Sequence, residues 1–174
     1  IWEDKKQGSI WLGTNDGLCK FDRYSEKFTR YKPDPKAKFA DPNISSINED
    51  RNGMMWVSNF GGLCRFDRQT GKFLPDSFDV NGPICKDKAG DLWIGGRGLH
   101  QLVVQPAKPG KLSEVKIKSY WPAPANPDSL SDGHVSSVYE DKDGILWIAT
   151  NKGVNSFDKK RNIFKRYQHD PKNI

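Results

Sequence analysis

The chain has 174 residues, enough to bury a sizeable hydrophobic core, so neither disulfides nor a structural metal is needed to hold it together. Its formal net charge is +6, but the basic residues are scattered through turns and strand ends with no long run, which argues for a solvated surface rather than a nucleic-acid face. Three cysteines without a Cys-x-x-Cys pair or a Cys/His cluster at zinc spacing exclude a zinc module, and no run of about 18 apolar residues marks a membrane helix. No cofactor and no metal are expected.

Taken in order, the chain writes one short sentence four times: an Asp, a Gly three residues before a Trp, then an apolar and a small residue. The copies centre on Trp11, Trp56, Trp93 and Trp147, spaced roughly 35–55 residues apart, a period of propeller blades and other repeat arrays. The repeated positions are β-branched and aromatic and are cut every few residues by Gly, Asn, Asp and Pro, so the repeats are strands and not helices. The approximate repeats are 1–43, 44–81, 82–134 and 135–174, each with four short strands.

The first repeat opens with a truncated strand at 1–3. The turn from Asp4 to Gly8 carries one extra residue and is expected to be looser than its counterparts. Strands follow at 10–13, 17–22 and 28–31; between the last two lies a slot where later repeats have Gly71 and Asn162, residues suited to positive φ, and Glu26 is expected to break that pattern. A long connection, 32–43, leads to the second repeat. There the strands are 44–49, 54–58, 62–67 and 73 onward, and Asp50-Arg51-Asn52-Gly53 has the Asp and Gly that a type I hairpin turn favours at its first and fourth positions.

The third repeat departs most from the pattern. Its strands are predicted at 82–86, 92–95 and 116–120, but it loses a residue before Gly98 and has Leu102-Val103 where the others have Phe-Asp. It also inserts 104–113 with Pro106, Pro109 and Gly110 before a Pro-rich stretch, 121–127. Long irregular loops on a rigid scaffold are where function tends to sit. The fourth repeat returns to pattern, with strands at 135–140, 145–149, 153–158 and 164–167.

Apolar residues fill both alternation phases of the second strands, as expected when both faces of a sheet are covered. The four Trp residues are therefore expected to be inter-blade core, and the small residues two positions later (Gly13, Ser58, Gly95, Ala149) sites of close approach. Cys19 and Cys64 occupy the same slot of successive sheets, about 10 Å apart, beyond the roughly 7 Å Cα limit of a disulfide. They are expected to be free and buried.

Ile44-Ser45-Ser46-Ile47-Asn48-Glu49-Asp50, Val135-Ser136-Ser137-Val138-Tyr139-Glu140-Asp141, Ile10-Trp11-Leu12-Gly13-Thr14, Leu146-Trp147-Ile148-Ala149-Thr150 and Thr70-Gly71-Lys72-Phe73 together resemble the two-component regulator propeller repeat. The resemblance covers almost the whole chain and is weaker in the third repeat. It implies an all-β fold of four-stranded antiparallel β-propeller blades, about four of them, as a fragment of a seven-bladed propeller. It further implies the periplasmic sensor region of a Bacteroides-type hybrid two-component system, anchored in the inner membrane, acting as a homodimer and reporting an oligosaccharide to a histidine kinase outside this chain. Ile1 aligns with Ile47, and Asn173-Ile174 with Asn43-Ile44, so four repeat lengths are present and hydrophobic blade faces are expected to be open at both ends.

In such blades the second-to-third and fourth-to-first connections share one rim. The candidate ligand-binding residues there are Asn15, Asp16, Phe60, Arg97, Trp121, His134 and Asn151. Planar side chains can stack on sugar faces, polar ones can read hydroxyls, and the Arg97 fork matches a carboxylate or sulfate. Two other readings compete. One is a propeller enzyme, because the second strand is similar to that of streptogramin lyases and Asp-x-x-Gly-x-x-Trp is loosely similar to the sialidase Asp-box. The other is a protein-interaction platform. The repeated Asp50, Asp87 and Asp141 are expected to serve turns on the opposite rim, which disfavours catalysis by them. Nucleic acid is not an expected partner.

Overall fold

The structure, a computed structural model, describes residues 1–105 and 112–168; Pro106, Pro109, Gly110, His169, Asn173 and Ile174 lie outside the described residues. The described residues contain strands and no helix, and they divide into two compact units, one ending at Ile84 and the other beginning at Cys85.

In the first unit, β1 (Trp2–Asp4), β2 (Ser9–Thr14), β3 (Gly17–Asp22) and β4 (Lys27–Tyr31) form one antiparallel meander. A second is formed by β5 (Ser46–Glu49), β6 (Met55–Asn59), β7 (Gly62–Asp67) and β8 (Lys72–Phe78). These are β-propeller blades, and the two differ in what each face meets. Blade 1 turns Trp11 and Leu18, flanked by the partly buried Trp2 and Tyr31, onto Ile47, Met55, Val57, Cys64 and Phe66 of blade 2. Trp11 lies 5.5 Å edge-on from Phe66 and 5.6 Å stacked from Tyr31. Burying side chains of this size stabilises by about 1.5–3 kcal/mol each. The close approach predicted at Gly13 is real: a Cβ there would sit 2.3 Å from the Ile44 carbonyl oxygen, and the Ile44 amide donates to Thr14 O at 2.9 Å.

The second unit repeats this plan. Blade 3 comprises β9 (Ile84–Lys86), β10 (Leu92–Ile94), β12 (Leu99–Val104) and β13 (Val115–Tyr120). Blade 4 comprises β14 (His134–Glu140), β15 (Leu146–Thr150), β16 (Gly153–Asp158) and β17 (Ile163–Tyr167). Trp93 and Leu99, with Tyr120, pack on Leu146, Ile148, Phe157 and Phe164. One element was not foreseen. The residue lost before Gly98 breaks the third blade's hairpin, and the freed Gly96-Arg97 forms a two-residue strand, β11, that pairs with β14 of blade 4.

Three expectations need correction. Trp147 is only half-buried, unlike Trp11, Trp56 and Trp93, with Tyr167 5.6 Å away across its ring. Glu26 does not break the positive-φ slot: it adopts φ 54°, beside 69° at Gly71 and 58° at Asn162. Arg97 lies in β11 and not in a simple turn between second and third strands. Cys19, Cys64 and Cys85 are free, and burial, with Asp76 nearby, pushes the Cys64 thiol up to about 12.

Candidate ligand-binding rim

Each unit has two edges of different chemistry. At the edge carrying the β1–β2-type turns, the repeated Asp does more than cap a turn. Asp50 Oδ1 accepts the amides of Asn52 and Met54 while Oδ2 accepts Trp56 Nε1 at 2.9 Å. Asp87 and Asp141 bind Trp93 and Trp147 in the same way, at 3.0 and 2.7 Å. The indole bond explains why Asp and Trp keep a six-residue spacing. In the first repeat the extra residue shifts the turn, Asp4 caps only Lys6 and Gln7, and Trp11 Nε1 is buried with no hydrogen-bond partner.

The same edge carries ion pairs. Arg68 reaches Asp4 at 2.8 Å and Glu49 at 2.6 Å; Lys159 reaches Asp87 at 2.8 Å and Glu140 at 2.6 Å. A cleft of about 540 Å³ at Lys88, Glu140, Gly144 and Lys159 has a smaller counterpart of about 360 Å³ at Gln7, Gly53 and Arg68. A hollow that recurs at the same place in both units belongs to the packing of repeats.

The opposite edge holds what the repeats do not share. In the first unit Asn15 is exposed on the β2–β3 turn, and Asp16 is tied to Lys32 at 2.6 Å and Arg30 at 2.7 Å. The Lys32 hydrogen bond holds the Asp16 carboxyl below its ordinary range, with desolvation opposing and the Lys32 and Arg30 charges assisting. Phe60, 75% exposed, caps the β6–β7 turn; the buried Asn59 orders that turn by accepting the Gly61 amide, and Asn81 donates to Phe60 O.

In the second unit, candidates from distant parts of the sequence come together. The register Gly96↔Val135↔Thr150 sets Arg97 opposite His134, and one step further along the same line lies Asn151. Trp121, 55% exposed, lies over Gly98, where a Cβ would come within 3.0 Å of the indole. The Gly98 amide donates to Gly133 O at 2.7 Å. Beneath them is His100, 4% exposed. Its Nε2 bonds the Arg97 carbonyl, which can only accept, so Nε2 carries the proton and Nδ1 accepts from the Ser119 hydroxyl at 2.9 Å. Burial lowers the His100 pKa, partly offset by the Arg97 carbonyl, and keeps the ring neutral. The ring meets Trp121 edge-on at 5.5 Å.

His100 was not among the predicted site residues, yet a signal existed. It occupies the third-strand slot of Cys19 and Cys64, a buried position at which a polar residue must find partners. Asn155 fills the same slot in the fourth repeat, accepting the Ser131 amide at 2.9 Å and donating to Ser131 Oγ at 2.8 Å. The connection before His134 is further held by Arg166, which donates to Ser129 O at 2.9 Å and Asn126 O at 2.8 Å, and by Leu130 in the core. A cationic fork, an imidazole, an amide and an exposed indole thus sit on a pinned support, an arrangement that can stack on a flat apolar face and pair with oxygen acceptors.

Residues 129–152 match the family model described as two component regulator propeller. No curated protein matches the chain at a significant level. Among solved structures, the chain is similar to the extracellular domain assigned to a hybrid two component system of B. thetaiotaomicron, with 23% identity, a TM-score of 0.76, and 97% of this chain but 22% of that one covered. A second such domain from B. thetaiotaomicron gives 24% identity, a TM-score of 0.69 and the same coverages. An inactive variant of virginiamycin B lyase from Staphylococcus aureus gives 14% identity and a TM-score of 0.61, with 94% of this chain and 53% of that one covered. The chain therefore spans about a fifth of the length of the sensor domains it matches.

Proposed function

We propose that this chain, whose fourth blade carries a two component regulator propeller repeat at residues 129–152, is a segment of the ligand-sensing ectodomain of a hybrid two-component sensor. Its ligand is an oligosaccharide, and the segment has no chemistry of its own. The observation that carries this reading is the cluster of Arg97, His134 and Trp121 on the edge opposite the repeated turns. Trp121 offers a stacking platform, and Arg97 and His134 offer donors beside it. Sugar recognition takes this form, an apolar face against a ring and polar groups for hydroxyls or a carboxylate.

The enzyme reading is the weaker one. Both carboxylate oxygens of Asp50, Asp87 and Asp141 are engaged by turn amides and indoles, so these groups are not poised as an acid and base pair. In the sensor reading, a ligand biases one arrangement of a dimeric, periplasmic ectodomain, and that bias passes through the inner membrane to a histidine kinase outside this chain. The shift can be no larger than the ligand's differential affinity for the two arrangements.

Titration calorimetry of the chain against a panel of neutral, uronate-bearing and sulfated oligosaccharides tests the site. The reading expects at least one ligand whose affinity falls about tenfold in Trp121→Ala and in Arg97→Ala. Binding indifferent to both substitutions, or catalytic turnover of a glycan by the chain, would overturn it.

A further inference from the structure

The third-strand slot that Cys19, Cys64, His100 and Asn155 share stands opposite Arg30, Ser77, Ser119 and Arg166 on the fourth strands. In the second unit both such pairs serve one segment, the chain that carries Trp121. In blade 3, His100 and Ser119 bond each other at 2.9 Å, and the imidazole meets the Trp121 ring edge-on at 5.5 Å. In blade 4, Asn155 takes hold of Ser131, and Arg166 of the turn that follows Trp121. Arg30, which occupies the Arg166 slot in the first repeat, instead reaches the exposed Asp16. The inward use of the slot is thus a feature of blade 4 and not of the repeat.

The Arg166 guanidinium fills a cage of oxygens. Its Nε donates to Ser129 O at 2.9 Å, and its Nη2 donates to Asn126 O at 2.8 Å and to Ser129 Oγ at 2.7 Å, with Leu130 O at 3.2 Å. A flat fork with donors in fixed directions sets the relative positions of several acceptors, which a point charge on a flexible stem does not. Two further contacts carry that order back to Trp121. Ser129, 8% exposed, also accepts the Ala123 amide on its Oγ at 2.8 Å, and Pro122 forms a bridge to Leu130, which is fully buried in the core of the unit. The two residues after Trp121 are therefore fastened to the turn that Arg166 organises. On its other side the chain is held by β13, whose pairing with β12 runs up to Leu99↔Tyr120. The indole lies over Gly98 between these two attachments.

We propose that Arg166 is the positioning residue of the Trp121 platform: a built-in cation at the centre of 123–130 that fixes the direction of the indole without touching a ligand. That the platform serves a sugar rests on the functional reading above; that Arg166 places it does not.

Two-dimensional NMR of the indole N–H groups is the test, with one signal expected for each of the six Trp residues. The Trp121 signal is the one missing in W121F. In R166A it is expected to shift and broaden, while the signals of the buried Trp11, Trp56 and Trp93 hold and report an intact fold. R166K should behave like R166A, because charge alone does not replace the fork. Ethylguanidinium, added well below concentrations that unfold the chain, should refill the cage of R166A and return the Trp121 signal, a rescue that a general loss of stability would not show. S129A keeps Arg166 but removes the shared hydroxyl, so it should move the same signal by less, and it decides the matter if R166A does not fold. For any sugar that binds the wild type, affinity should fall about tenfold in R166A and recover with ethylguanidinium. A Trp121 signal unmoved in the folded variants, or one that moves while sugar affinity stays unchanged, would overturn the proposal. If no sugar binds the wild type, the sensor reading fails, and the indole signals still decide whether Arg166 places Trp121.

Discussion

Trp11 keeps its place in the core but has lost the acceptor that its three counterparts keep, and one residue is responsible. Deleting Lys6 would turn Asp4-Lys5-Lys6-Gln7-Gly8 into the Asp-x-x-Gly form of the other turns and bring Asp4 within reach of the indole. An added buried hydrogen bond to a charged acceptor is worth about 1.5–3 kcal/mol, so the deletion should raise the urea midpoint. Glu26 offers a second such gain. It holds φ 54° at a tip where a β-carbon is unfavourable, and Glu26→Gly should stabilise by about 0.5–1 kcal/mol in the same assay. His100 sets a pH dependence. Its folded pKa lies below the ordinary 6.5, so the unfolded chain binds the extra proton first as pH falls. The stability it contributes is present above about pH 6.5 and is lost progressively below it, down to the folded value. Thermal midpoints at pH 7.5 and 5.5 should differ more in the wild type than in His100→Asn.

At the scale of elements, the third strands β3, β7 and β16 begin and end where the sequence places them, because Gly at one end and Asp at the other set hairpin geometry locally. The first strands do not: residues 44 and 45 are paired by single bonds to Thr14 and Ser58 before the ladder proper begins at Ser46. β11 was not legible at all. Its two residues become a strand only because β14, more than thirty positions later, offers an edge. The long connections of the sequence are tied down. Phe39 is 3% and Leu130 0% exposed, and each plugs its unit's core from within a connection. Arg166→Ala should therefore speed amide exchange at Asn126 and Ser129, whose carbonyls it binds, while β15 and β16 exchange unchanged.

At the scale of the molecule, large apolar side chains of the described residues are exposed on blade faces. Tyr139→Lys and Val154→Lys lie on one of them, and each should lower light scattering of concentrated solutions while altering stability by less than about 0.5 kcal/mol. What the sequence determined by itself was the repeat: strand order, the Asp-Gly turns and the Trp slot all follow from contacts within about ten residues, which a local pattern encodes. Only the tertiary structure decided which candidates meet. Arg97, His134 and Trp121 come together through a strand pairing between blades, and His100 becomes their support through burial. The Arg68–Asp4 ion pair is likewise invisible in any single repeat, since the two residues belong to different blades and are brought to 2.8 Å by packing.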